Sequence, residues 1–375
     1  MNTRPPILPL VLLLLGMISL AVGVLAGLAR LGVEVPADAA AHAWAHGALM
    51  VGGFLGTVIG LERAVALAAA GPRWGFAAPF CSALGALALL ADLPTAGAQT
   101  LFAAAAAIFC AASIWMLRSQ PAAYLATLAL GAVAWFIGNL VWWVGGAIMP
   151  AVPWWIAFLV LTIAGERLEL TRVLPTSPPA RALFATIVAA MPIALTIAFW
   201  HSGLGLRGFA AALLGLAAWL LRHDIARRTV RRRQLTRYIA LCLLAGYGWL
   251  AAGGLLGIAG GFEPGSALRD AALHALFLGF VMSMIFGHAP IIFPAVAKVR
   301  IAYHPAFYLP LVALHVSLLA RVAGDLTALA PLTRFAGIAN AGALLLFILT
   351  MATSVARGGA RQRRARAPRS HERLI

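Results

Sequence analysis

The 375-residue chain is 63% hydrophobic and 10% charged, with a mean hydropathy of +0.94. A soluble chain draws roughly a quarter of its residues from Asp, Glu, Lys and Arg to cover its surface, so a soluble globular fold is excluded. The net charge of +17 does not signal nucleic-acid binding, because the basic residues punctuate apolar runs and gather on one side of them.

Apolar runs of about twenty residues, each long enough to cross a ~30 Å hydrocarbon core as a helix, recur near 7–29, 41–61, 74–95, 97–117, 122–148, 152–174, 180–201, 203–221, 238–261, 268–291, 305–323 and 327–353. They predict an all-α polytopic membrane protein of about twelve transmembrane helices. A single transmembrane domain spans 1–355 and a basic tail spans 356–375. The first run, ILPLVLLLLGMISLAVGVLAGLA, follows the lone Arg4. It is too long for a signal peptide and lacks a small-x-small cleavage site, so it reads as a retained helix. Twelve crossings put both termini on one side, and 23 of the 28 Lys and Arg residues fall there with them. Among these are Arg172, the RHDIARRTVRRRQLTR loop at 222–237, Lys298 and the tail. Only Arg30, Arg207, Arg269, Arg321 and Arg334 fall opposite. The positive-inside rule then places both termini in the cytoplasm of a bacterial inner membrane, with the tail against anionic lipid.

Along the chain, the second run opens AHAWAHGALMVGGF, with His42 and His46 one turn apart, and closes GLERAVAL, with Glu62 and Arg63 at its cytoplasmic end. The pairs Trp142–Trp143 and Trp154–Trp155 flank the loop between the fifth and sixth runs and read as an aromatic belt at headgroup depth. Asn139 and Asn340 are expected to bridge helices. The sixth run ends GERLELTR, carrying Glu166, Arg167 and Glu169. The tenth, DAALHALFLGFVMSMIFGHAP, carries His274 and His288, and the eleventh has His315 near its middle. Runs two, six and ten share one direction and place ionisable groups at matching depth, which suggests three arcs of four helices around an axis. Cys81, Cys110 and Cys242 lie in different runs with no CxxC spacing, so neither a disulfide framework nor a zinc site is indicated.

Ionisable side chains in a bilayer cost roughly 2.5–3.5 kcal/mol each on insertion scales, so they face protein or cofactor. Fourteen residues separate His274 from His288, ~21 Å of rise and nearly four whole turns. The two share a helix face yet cannot ligate one metal. His46 and His274 lie at similar depth on the second and tenth helices, with small residues beside them and Leu273 required to turn away. Two neutral imidazoles from opposed helices form an axial pair for haem iron, with Gly47, Met50 and Gly279 as lining. The alternative is that each histidine bonds a neighbouring helix. His42 either joins His46 on copper or lines the outer loop. Glu62, Arg63, Glu166, Arg167 and His288 form an inner polar layer, either paired across helices or serving as a proton relay.

HGALMVGGFLGTVIG resembles the second helix of subunit I of haem-copper oxidases, and LHALFLGFVMSMIFG is similar to their tenth. The resemblance implies twelve helices in three arcs, with His46 and His274 as ligands of a low-spin b-type haem. Ala272 stands where the high-spin haem ligand would be, and the sixth and seventh helices lack copper-ligating histidines, so no binuclear centre and no catalytic residues are implied. A closer resemblance is to the NnrS family, from its His-rich second helix and HAL…GH stretch. That resemblance implies a link to nitrogen-oxide stress; the haem reading by itself leaves electron transfer, with a redox partner protein, or sensing as the role. The competing class is a secondary transporter of two six-helix halves, with Glu62, Glu166 and His288 as coupling groups.

Overall fold

The structure, a computed structural model, describes residues 7–170, 176–297 and 299–366. Arg4, Arg172, Lys298 and the last nine residues of the basic tail lie outside the described residues. Among the described residues there is helix and no strand. Eleven helices are long and apolar enough to cross a membrane: α1 (Ile7–Arg30), α2 (Ala43–Ala69), α4 (Thr95–Ser119), α5 (Ala123–Gly145), α6 (Met149–Glu169), α7 (Pro178–Ile197), α8 (Ser202–His223), α9 (Gln234–Gly261), α10 (Arg269–Pro294), α11 (Pro305–Leu326) and α12 (Ala330–Gly359). A shorter apolar helix, α3 (Trp74–Leu90), completes twelve, at the lower end of the length that can span. The chain is a polytopic α-helical membrane protein, because only a helix or a closed barrel can satisfy its own backbone in hydrocarbon.

Consecutive helices pack side by side around the molecule, and α12 returns to α1. Inside this ring α2, α6 and α10 meet: α10 touches both α2 and α6, and an Arg63–Glu166 ion pair ties α2 to α6. Their common direction gives the molecule a terminal end, where both termini lie, and a far end, where α2, α6 and α10 begin. Rings fill the space between helices of one arc. Trp135 of α5 stacks on Phe158 of α6 with centroids 4.9 Å apart, and Phe286 of α10 stacks on Phe347 of α12 at 3.9 Å.

Several expectations shift. The second helix runs on to Ala69, because the Ala- and Leu-rich stretch after the charges still favours helix. Glu62 and Arg63 therefore lie within α2, not at its end. The final helix continues through Arg366, so the start of the basic tail extends it. The tryptophans do not form a belt. Trp142, Trp154 and Trp155 are buried and only Trp143 is exposed; Trp155 fits against Gly138 of α5 and meets Trp142 edge to face. Asn139 donates to Trp135 O in its own helix instead of bridging. Asn340 does bridge, accepting from Ser317 of α11 at 2.6 Å.

Candidate functional site

Helices α2 and α10 share a local feature. Each contains an eight-residue π-helical stretch, Leu49–Gly56 and Ala275–Met282, and in each a histidine stands just before it, His46 and His274. A π turn closes i→i+5 and holds more residues than an α turn, so side chains beyond it fall out of phase with those before it. The equal-face reading of His274 and His288 assumed 3.6 residues per turn throughout and is corrected here. His274 lines a cavity at the far end, whereas His288 meets Arg167 of α6.

That cavity has a volume of about 660 Å³, within the range of sites that enclose a cofactor-sized ligand. Its walls come from α1, α2, α10 and α12, with Trp155 of α6 and Arg321 of α11. Nδ1 of His46 lies 2.6 Å from the carbonyl oxygen of Gly23 in α1. Nδ1 of His274 lies 2.7 Å from the carbonyl of Asp270 one turn earlier. A carbonyl can only accept, so both Nδ1 atoms carry the proton and each neutral ring keeps its lone pair on Nε2. Neither Nε2 is bonded among the described residues, and both residues line the same cavity. Room for His46 comes from α1: a Cβ on Gly27 would sit 2.7 Å from the imidazole Cε1. Gly23, one turn away, receives Met50 in the same manner.

Gly47 and Met50 line the cavity as expected; Gly279 does not. Gly279 is on the opposite face of α10, where Trp249 of α9 occupies the space a Cβ would need. Leu273, expected to turn away, lines the cavity. At the far-end rim Arg321 is 4% exposed, bonded through Nε to both carboxylate oxygens of Asp325 at 3.1 Å and 3.6 Å from Asp270. Asn340 also faces the cavity; its Nδ2 is sealed from solvent without a partner. An orphan donor costs about 1–3 kcal/mol unless a ligand supplies the acceptor.

His42 is buried against the outer connections: its Nδ1 is 2.6 Å from Asp38 O, and its Nε2 is 3.0 Å from Leu89 O and 3.4 Å from Asp92. No group of three or more His, Cys, Asp or Glu side chains able to hold a metal occurs among the described residues. His315, in α11, accepts from Trp249 Nε1 at 3.0 Å and takes no part in the cavity.

Toward the terminal end the inner polar layer is brought together. Arg63 Nη2 donates to Glu166 Oε1 at 2.5 Å, joining α2 to α6. Arg167 Nη2 contacts His288 Nε2 at 2.6 Å, joining α6 to α10, and Nδ1 of His288 donates to Met284 O. Glu62 interacts electrostatically with Glu166 and Arg63. Asp224, after α8, adds a group that sequence reasoning missed: 4% exposed, it accepts from Tyr247 of α9 and from Ala226 N, and it acts on His288. Within RHDIARR it reads as one acid among solvated arginines. The glycines of α1 were also overlooked, although Gly23 and Gly27 have the small-xxx-small spacing that admits a close neighbour.

The fold and site thus define a twelve-helix membrane protein with a bis-histidine cavity at one end and an ion-paired polar layer toward the other. The chain belongs to the family described as Domain of unknown function (DUF8744), whose model matches residues 9–356. No curated protein matches it.

Proposed function

We propose that the chain is a haem-binding membrane protein, similar to the NnrS family and distantly to subunit I of haem-copper oxidases, in which His46 and His274 hold one low-spin b-type haem. The observation that carries this reading is a pair of histidines from opposed helices lining one cavity, each bonded to a carbonyl through Nδ1 with its Nε2 unbonded among the described residues. A carbonyl bond at the other ring nitrogen sets the tautomer and orientation of a ligating imidazole. The donor set, two imidazoles on opposed helices, suits a macrocycle that brings its own four ligands and needs two more. A haem with two imidazole ligands supplies one-electron transfer. What this chain's residues contribute is position and exclusion: Gly27 seats His46, Met50 and Trp155 wall the site, and the apolar lining keeps out water. Electron transfer with a redox partner follows from the haem reading, and a role in nitrogen-oxide stress from the family resemblance. The meeting of α2, α6 and α10 favours three arcs over two six-helix halves. A transporter reading loses weight because two of its three coupling groups, Glu166 and His288, are each held by an arginine; Glu62 has no such bond among the described residues. By charge distribution the terminal end faces the cytoplasm of a bacterial inner membrane.

The test is an absorption spectrum of the detergent-purified protein, oxidised and reduced. Wild type should show a low-spin b-type Soret and α band; His46→Ala and His274→Ala should each lose it, and His288→Ala should retain it. Wild type without a Soret band, or retention of the band in both cavity variants, overturns the reading.

A further inference from the structure

Basic residues are scarce at the far end, where only Arg30, Arg207, Arg269, Arg321 and Arg334 occur. Arg207 pairs with Glu263 at 2.9 Å. The other four come from four different helices, α1, α10, α11 and α12, and converge on one place. Arg30, Arg269 and Arg334 line a pocket of about 500 Å³, which shares Arg30 and Arg269 with the mouth of the histidine cavity. Arg321 stands behind it, engaged with Asp325 and Asp270, the two acids that reach this pocket. Four arginines against two aspartates leave two positive charges in excess. Arg269 spends its guanidinium on the carbonyls of Phe262 and Glu263. Arg30 and Arg334 have no carboxylate within ion-pairing distance among the described residues.

Like charges gathered in a concave, low-dielectric mouth repel one another and focus the field outward. A chain that keeps this end poor in basic residues, yet places three of its five there in one pocket with a fourth behind it, is arranged for a negative ligand. Arginine suits that role, because its planar donors match a carboxylate or oxyanion in bidentate fashion. We propose that this mouth binds a small carboxylate or other oxyanion. The charge could come from a free anion in solution, or from carboxylate arms of a ligand seated in the cavity below. The proposal stands on the arginines and does not require that the cavity ligand be haem.

The experiment follows thermal unfolding of the full chain in detergent, titrated with citrate or sulfate against chloride at equal ionic strength. Generic salt stabilisation acts alike on every variant, so the comparison is between proteins. Citrate or sulfate should raise the midpoint of wild type and of Arg207→Gln with the same half-saturating concentration. In the Arg30→Gln/Arg334→Gln double variant that concentration should rise about tenfold or more, since a charge-assisted contact is worth a factor of this order. Arg30→Lys/Arg334→Lys, which keeps the charge, should recover part of the effect, and a cooperative unfolding transition of the Gln variant in chloride shows that it folds. Running the titration on protein as purified and on His46→Ala/His274→Ala separates the sources. A free anion shifts both samples; arms of a cavity ligand leave only the emptied variant responsive. An equal response in the emptied His46→Ala/His274→Ala protein with and without Arg30→Gln/Arg334→Gln, or no anion-specific response in any sample, overturns the proposal. Loss of the Soret band in the histidine variants bears on the haem reading alone.

Discussion

What faces Nε2 decides the use of each histidine. His46 and His274 bond carbonyls through Nδ1 and line the cavity with Nε2 unbonded among the described residues; His288 has the same Nδ1 bond, but its Nε2 meets Arg167; His42 has a carbonyl beside each nitrogen and Asp92 near Nε2. Identical side chains in similar sequence surroundings therefore differ in whether they can ligate. The arginines of the polar layer carry a stability prediction. Arg63 and Glu166 are 15% and 19% exposed as side chains, and removing one member of a largely buried pair strands the other charge, at about 3–5 kcal/mol. Arg63→Met or Glu166→Met should each lower the unfolding midpoint in detergent, while the double Met variant recovers most of the loss. Equal losses that simply add would show that the two groups do not depend on each other.

Among the elements, α1 seats the site although none of its side chains carries the chemistry. Gly27→Val should displace His46, because even a Cβ there sits 2.7 Å from Cε1, and should abolish the haem band while the protein still purifies as a monodisperse species. Gly342→Val in α12, where a Cβ meets nothing within 4 Å, is the matched control and should leave the spectrum unchanged. The π stretches make a second prediction. Deleting Val51 from Leu49–Gly56 should return that segment to α-helical phase and rotate His46 by roughly 100° relative to Arg63, one residue's turn of an α-helix. The variant should then lose either the cavity ligand or the Arg63–Glu166 tie, read as the spectrum or as the unfolding midpoint. A deletion that affects neither would mean that the wide turn has no role in setting the register of α2.

Across the whole molecule, the partition of 23 basic residues to one side and 5 to the other predicts where reporter fusions will report. Fusions after Arg233 and at the C-terminus should both read as cytoplasmic, and a periplasmic signal at either would reverse the assigned ends. The number of spans, their order and the division of charge were legible without coordinates, because hydrocarbon thickness sets segment length and charge must stay near water. So were the helices that carry chemistry, since α2, α6 and α10 hold most of the chain's ionisable groups at membrane depth. Which atoms of those groups meet depended on phase and on neighbours distant in sequence. Eight-residue π stretches turned His288 away from the face of His274 and Gly279 toward Trp249. Glycines of α1, silent as chemistry, made the space for His46. Four arginines spread from position 30 to position 334 came to share one mouth. Hydropathy is a property of a segment and can be read from the segment alone. A site is a property of side chains from several helices, and the packing of twelve of them decided which ones met.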